Sequence, residues 1–181
     1  MAARFATIGH SNRTQDAFIA MLRAAQVDLL VDVRAFPRSR TNPAFNIDRL
    51  PDALAPLQID YRHMPALGGR RPKQPGVPEA VNALWRVRSF HNYADYALGD
   101  AFGGAFEDLL RLGEGRRPAL MCSEAVWWRC HRRIIADYLL LSGQAVDHLM
   151  APGHVTPATP TPGAERTEQG KVVYPASGVM V

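Results

Sequence analysis

The feature that most constrains this chain is a strand, a helix and a second strand packed into its first 33 residues. Phe5–Gly9 is an apolar run, and Thr14 stands where a helix N-cap is needed. Phe18, Met21, Leu22 and Ala25 follow it at helical spacing, and residues 27–33 contain a continuous apolar stretch. Two strands joined across a helix pair in parallel, through a right-handed crossover. Parallel strands are buried on both faces, so the unit commits the chain to a sheet held between helices.

The rest of the pattern extends that layout. Residues 34–46 are rich in arginine and in the turn formers Pro37, Ser39, Thr41, Asn42 and Pro43, so they predict a loop at the carboxyl end of the second strand. Residues 47–57 predict a short helix, 59–64 a third strand, and 67–76 a basic loop. Helical patterns cover 79–88 and 93–112, the latter interrupted by glycines. Pro118–Cys122 is a fourth strand, 129–141 a helix ended by Gly143, and 145–150 a fifth strand. The expected fold is a single three-layer α/β domain over residues 1–150, with a mostly parallel central sheet of about five strands and flanking helices. Residues 151–181 are rich in Pro, Thr and Gly and lack helical periodicity. They predict a C-terminal extension, flexible by default, whose apolar end around Lys171-Val-Val-Tyr174 is able to dock.

A length of 181 residues is enough to bury one good core. No apolar run approaches the roughly 20 residues needed to span a bilayer, and the first residues lack the pattern of a signal peptide. The expectation is a cytoplasmic protein without a membrane partner, its two cysteines reduced rather than bridged. The net charge of +4 comes from 19 Arg against only 2 Lys, so arginine position says more about partners than arginine number.

In an open α/β sheet, ligands bind beyond the carboxyl ends of the strands. Those positions are unusually polar here: His10-Ser11-Asn12 after the first strand, Asp32 and Arg34 at the second, Arg62-His63 at the third, Cys122-Ser-Glu124 at the fourth, and His148 in the fifth. Asp32 and Arg34, two apart, face one side and either hold a substrate or form an ion pair that fixes the next loop. Cys122 leaves a buried strand and faces a helix start, where the helix dipole and nearby guanidinium groups favour thiolate over thiol. His131 lies three, four and seven positions before Ile134, Ile135 and Tyr138, which aims its imidazole inward. Arg129, Arg132 and Arg133 cannot all do the same, and Arg133 stands four residues before Asp137, a pairing distance.

Three chemistries compete for these residues. In the first, Cys122 is a nucleophile beside Glu124, with His131 or His10 moving protons and arginines holding an anionic substrate. Its loop resembles a phosphatase or rhodanese cysteine loop. Six residues separate Cys122 from Arg129, one more than the phosphatase spacing, so phosphatase chemistry is not expected. In the second, Cys122, Cys130, His131 and His10 are metal ligands. Adjacent Cys130 and His131 on a regular helix diverge by about 100°, and the spacing matches no familiar zinc pattern, so neither a metal nor a cofactor is expected. In the third, nothing is covalent, and a cleft binds an anionic small molecule, nucleotide or nucleic acid. Ser11, Asn12, Asp32, Arg34, Arg38, Arg40, Arg62, Arg70, Arg71 and Arg129 would hold the ligand, with Trp85, Tyr93, Trp127 and Trp128 available for stacking.

Several separated motifs occur in one order: Thr7-Ile-Gly-His-Ser-Asn12, Leu30-Val-Asp-Val-Arg34 with Pro37-Arg-Ser-Arg40, Leu67-Gly-Gly69, Met121-Cys-Ser-Glu124 and Cys130-His-Arg-Arg133. Together with Gly170-Lys-Val-Val-Tyr-Pro175, this set resembles the DUF488 family of uncharacterised bacterial proteins. The resemblance implies a compact α/β domain with a cysteine-bearing motif and an enzymatic role, and it implies a more polar loop where Trp127-Trp128 stand. The expected function is therefore an enzyme, a cysteine-dependent transferase or hydrolase, with an Arg/His/Cys pocket for an anionic ligand and Cys122 at its centre. The alternative is a non-catalytic nucleotide- or nucleic-acid-binding module.

Overall fold

The computed structural model describes residues 4–176. The opening strand, helix and strand form, but the two strands do not pair with each other as expected, because another parallel strand lies between them. Strand β1 (Phe5–Gly9) leads to helix α1 (Gln15–Ala24), capped by the Thr14 hydroxyl accepting from the Ala17 N–H, and then to β2 (Leu29–Asp32). The remaining parallel strands are β3 (Asp60–His63), β4 (Pro118–Cys122) and β5 (Val146–Ala151). An antiparallel edge strand, β6 (His154–Pro157), completes a six-stranded sheet of order β3-β2-β4-β1-β5-β6.

Alternation along β1 divides the core into two layers. Ala6 and Ile8 face Phe18 and Leu22 of α1 and Phe45, Leu50 and Leu54 beyond β2. Phe5 faces the opposite layer, built from α3 (Arg88–Tyr96), α4 (Asp100–Leu112) and α5 (Arg132–Leu141), where Tyr93, Phe102, Leu109, Ile135 and Tyr138 are buried. The protein is thus a three-layer α/β domain with a mostly parallel sheet. No helix of the described residues is long and apolar enough to cross a membrane.

Three helical expectations shrink. Within 47–57 the α-helix, α2, covers only Leu50–Leu54 and passes into a 3-10 turn at Ala55–Leu57, where Pro56 has no N–H to continue the ladder. Residues 79–87 form a 3-10 turn at Glu79–Asn82 and no α-helix, with Arg88 opening α3, and the buried Asn82 amide donates to Asp95 and accepts from the Tyr174 N–H. The helix expected from 129 starts at Arg132. It follows a 3-10 turn at Trp127–Arg129 and an extended Cys130 with φ −123° and ψ 147°. Cys130 therefore precedes the helix, contrary to the periodic reading, and its angle to His131 is not the helical one.

Beyond β6, a hairpin of β7 (Glu165–Arg166) and β8 (Val172–Val173) brings Val172 and Tyr174 into the core. Asp137 on α5 accepts from the Tyr174 hydroxyl at 2.7 Å and the Thr161 N–H at 2.8 Å, and Arg133 donates to the Thr161 hydroxyl at 3.0 Å. The expected Arg133–Asp137 pair gives way to this arrangement, since Asp137 is buried and finds its donors in the C-terminal segment.

Candidate functional site

The strand order sets β2, β4 and β1 side by side, so their carboxyl ends open into one cleft of about 790 Å³. Gly9 is paired with Cys122, and the chains stay joined past the sheet: His10 N–H donates to the Cys122 carbonyl and Ser11 N–H to that of Ser123, each at 3.0 Å. A Cβ on Gly9 would lie 1.8 Å from the Glu124 main-chain oxygen, so only glycine lets the two loops meet. Ser11 and Arg70, which both line the cleft, hold left-handed backbone, at φ 46° and 60°.

His10, Ser11, Asn12, Arg34, Arg38, Arg70, Cys122, Glu124, Arg129 and His131 all border this cleft. Asp32, Arg40 and Arg71 do not. Asp32 is fully buried behind Arg34, accepting its Nε at 2.9 Å and Nη2 at 2.7 Å and also the Tyr61 hydroxyl. Arg34 further donates to the Phe45 carbonyl, so this pair is the brace of the following loop. Arg71 turns its guanidinium to the Gly68 and Pro65 carbonyls and over the Tyr96 ring, and the exposed Arg40 lies outside the wall. Of the stacking candidates only Tyr93 lines the cleft; Trp127 instead packs flat on His148 at 4.4 Å. Phe36 and Phe90 take the lining positions, and the sequence reading missed both.

Each cleft histidine has its tautomer set by a carbonyl, which can only accept. His10 Nδ1 donates to the Ser11 oxygen at 2.9 Å, leaving Nε2 to accept from Arg34 Nη1 at 3.3 Å. His131 Nε2 donates to the Val33 oxygen at 2.9 Å, and its bare Nδ1 lies 3.5 Å from Cys130 Sγ. Burial is the main cause that pulls both imidazoles below the usual range, so both are neutral at pH 7. The backbone of Gly69 presses against His131, where a Cβ would come within 2.8 Å of Nδ1.

The two sulfurs meet at the cleft floor. Cys122 Sγ and Cys130 Sγ are 2.7 Å apart and only 3% and 5% exposed. Arg132 is fully buried against them: its guanidinium donates to Cys122 Sγ, to the Glu124 and Ala125 carbonyls and to the Thr7 hydroxyl. Among the described residues it makes no ion pair with a carboxylate. Burial opposes a thiolate on Cys130, but the hydrogen bond from Cys122 and the charge of Arg132 outweigh it, and this thiol is pulled down. Burial pushes the Cys122 thiol up, helped by its partner sulfur. The lowered thiol is thus Cys130, whereas the strand-end argument favours a thiolate on Cys122. Arg132 also escaped the sequence reading. The signal was present, because Arg132 lies three, four and seven positions before Ile135, Ala136 and Leu139, on the same apolar stripe.

A model of the domain of unknown function DUF488 matches residues 14–139. The chain belongs to the DUF488 family. No curated protein and no solved structure matches it. The matched span of this DUF488 domain includes both cysteines, His131 and Arg132, while Phe5–Gly9, His10 and the tail that braces α5 fall outside it. Among the described residues, no cluster of three or more His, Cys, Asp or Glu side chains is arranged to hold a metal ion.

Proposed function

We propose that this protein is a cysteine-dependent enzyme, a transferase or hydrolase, that acts on an anionic substrate held in the cleft. The observation that carries the reading is the fixed imidazole of His131, which aims a bare Nδ1 at Cys130 Sγ while Arg132, without a carboxylate, lies against the partner sulfur. A nucleophile, a base turned toward it and a third group orienting that base are the parts nucleophilic catalysis needs. In this reading Cys130 carries the thiolate, and Cys122, first choice from the sequence, is the second sulfur. Arg38, Arg70 and Arg129 on the cleft wall supply positive charge for the substrate, with Glu124 the opposing carboxylate.

The test is the pH dependence of thiol alkylation in wild type, Cys122→Ser and Cys130→Ser, with and without inorganic phosphate. The expected result is a thiol that titrates below the free-thiol range, is protected by phosphate, and disappears with Cys130→Ser. Two thiols that both titrate as free cysteine would overturn the reading.

One observation favours the second reading, a non-catalytic module for a nucleotide or nucleic acid. Phe36 is 69% exposed and shares the cleft wall with Phe90, Arg38 and Arg70, which offers aromatic faces beside phosphate-binding groups. That module would bind a single-stranded oligonucleotide with steep salt dependence, unchanged in a Cys122→Ser/Cys130→Ser double variant.

A further inference from the structure

A single nucleophile does not need a second sulfur in contact with it. Cys122 comes from the end of β4 and Cys130 from the residue pair before α5, and the chain folds back through a 3-10 turn to bring them together. Closing a covalent bond between the sulfurs, about 2.05 Å in length, requires only a small further approach from 2.7 Å. We propose that Cys122 and Cys130 form a redox-active pair that exchanges with a carboxylate-bearing, low-molecular-weight disulfide bound in the arginine-rimmed cleft. This inference rests on the thiolate reading above and adds the identity of the second sulfur and the class of its partner.

The steps balance. The Cys130 thiolate attacks one sulfur of the bound disulfide; a new sulfur–sulfur bond forms, the old one breaks, and the first thiol leaves as thiolate. Cys122 gives its proton to that leaving sulfur, directly or through His131 Nδ1, and attacks Cys130 Sγ. The internal disulfide forms and the second half of the substrate departs as a thiolate. The protein loses two electrons and one proton overall, and the substrate becomes one thiol and one thiolate.

The surroundings also set the direction. In the reduced state the charge of the buried Arg132 guanidinium is offset by the Cys130 thiolate, which is hydrogen-bonded to the same Cys122 sulfur that the guanidinium contacts; in the disulfide it has only carbonyls and a hydroxyl as charged or polar partners. A buried cation that loses its counter-charge is costly, so the reduced form is favoured and the disulfide is readily returned to thiols. The partner's charge follows from the rim: Arg70 and Arg129 are exposed and, among the described residues, make no ion pair, so a carboxylate meets open guanidinium groups there.

The experiment treats the whole reduced chain with oxidised glutathione at neutral pH and low salt, and follows intact mass and peptide mapping. A parallel arm uses the uncharged bis(2-hydroxyethyl) disulfide. Wild type is expected to lose both thiols to a Cys122–Cys130 bond that small amounts of reduced glutathione reopen. Cys122→Ser is expected to stop at a mixed disulfide on Cys130. The charged probe should react at least about tenfold faster than the neutral one, and Arg70→Ala/Arg129→Ala should erase that preference. If wild type stops at the mixed disulfide, or the two probes react alike, this inference fails even where alkylation still finds a depressed thiol. If alkylation finds none, the reading beneath it has failed as well. Because the internal bond is read on wild type, a variant that folds poorly does not decide the outcome.

Discussion

His131 and Val33 are joined by one hydrogen bond, Nε2 to main-chain oxygen at 2.9 Å, and that bond determines which imidazole nitrogen faces Cys130. The residue just past β2, its side chain entirely in the core, thereby orients a base through its backbone. His131→Asn would keep a polar group at the site but remove the proton acceptor. The expected outcome is a thiol that is alkylated more slowly at pH 7 because no base takes its proton, with a melting temperature close to wild type.

Arg132→Met would keep much of the volume and remove the charge and its donors. The Glu124 and Ala125 carbonyls and the Thr7 hydroxyl lose a donor in a closed interior, an expected cost of about 2–4 kcal/mol in urea unfolding. The low-titrating thiol should vanish in the same variant. Retention of that thiol would mean that the guanidinium is not what stabilises the anion.

Gly9→Ala and Gly104→Ala should have opposite signs. At Gly9 the added carbon meets the Glu124 carbonyl at 1.8 Å, so strand or loop must shift; a loss of at least about 2 kcal/mol is expected, together with slower thiol chemistry. Gly104 lies within α4 with nothing inside 4 Å of its new Cβ, and alanine there should gain about 0.5–1 kcal/mol in helix propensity. Denaturant midpoints of the two variants make the comparison.

Acid should weaken the fold through its neutral histidines. Burial, and then the charge of Arg132, push His148 down to about 3, and burial lowers His10 and His131 as well. Below the ordinary value near 6.5 the unfolded chain binds protons that the folded chain refuses. Stability is therefore complete above that value and falls as pH drops toward 3, by about 1.4 kcal/mol per unit for each histidine still neutral. Thermal melts from pH 7 to pH 4 should show the decline, and His148→Gln should flatten part of it.

Asp32→Asn would leave Arg34 with no carboxylate at a position only 6% exposed, next to His10. Breaking a buried pair from one side is expected to cost about 3–5 kcal/mol in chemical unfolding. The neutral His10, 3.3 Å from Arg34 Nη1, then faces an uncompensated guanidinium, which should lower its imidazole pKa further, measurable by NMR titration.

Much of this architecture was legible because it rests on local pattern. The apolar run at Phe5–Gly9, the Thr14 cap and the spacing of Phe18, Met21 and Leu22 fix a parallel unit, and a parallel sheet fixes which strand ends share an edge. His10, Arg34, Cys122 and Glu124 could be gathered on that logic alone. What stayed hidden depends on a local break in periodicity. The extended Cys130 shifts the helix start to Arg132 and brings the two sulfurs together, and no helical wheel drawn from 129 shows that contact. Asp137 was misread for a related reason: its partners lie 24 and 37 residues further on, beyond the reach of an i to i+4 rule.

That distance has a consequence in time. When Cys130, His131 and Arg132 are added to the growing chain, the Tyr174 that will satisfy Asp137 on the same helix is still to be made. The 37 residues from Tyr138 through Tyr174 take about 2 to 7 seconds to add at ordinary elongation rates. Throughout that interval the helix beside the thiols carries an acid without its tyrosine donor, so the nascent site waits on the hairpin synthesised after it.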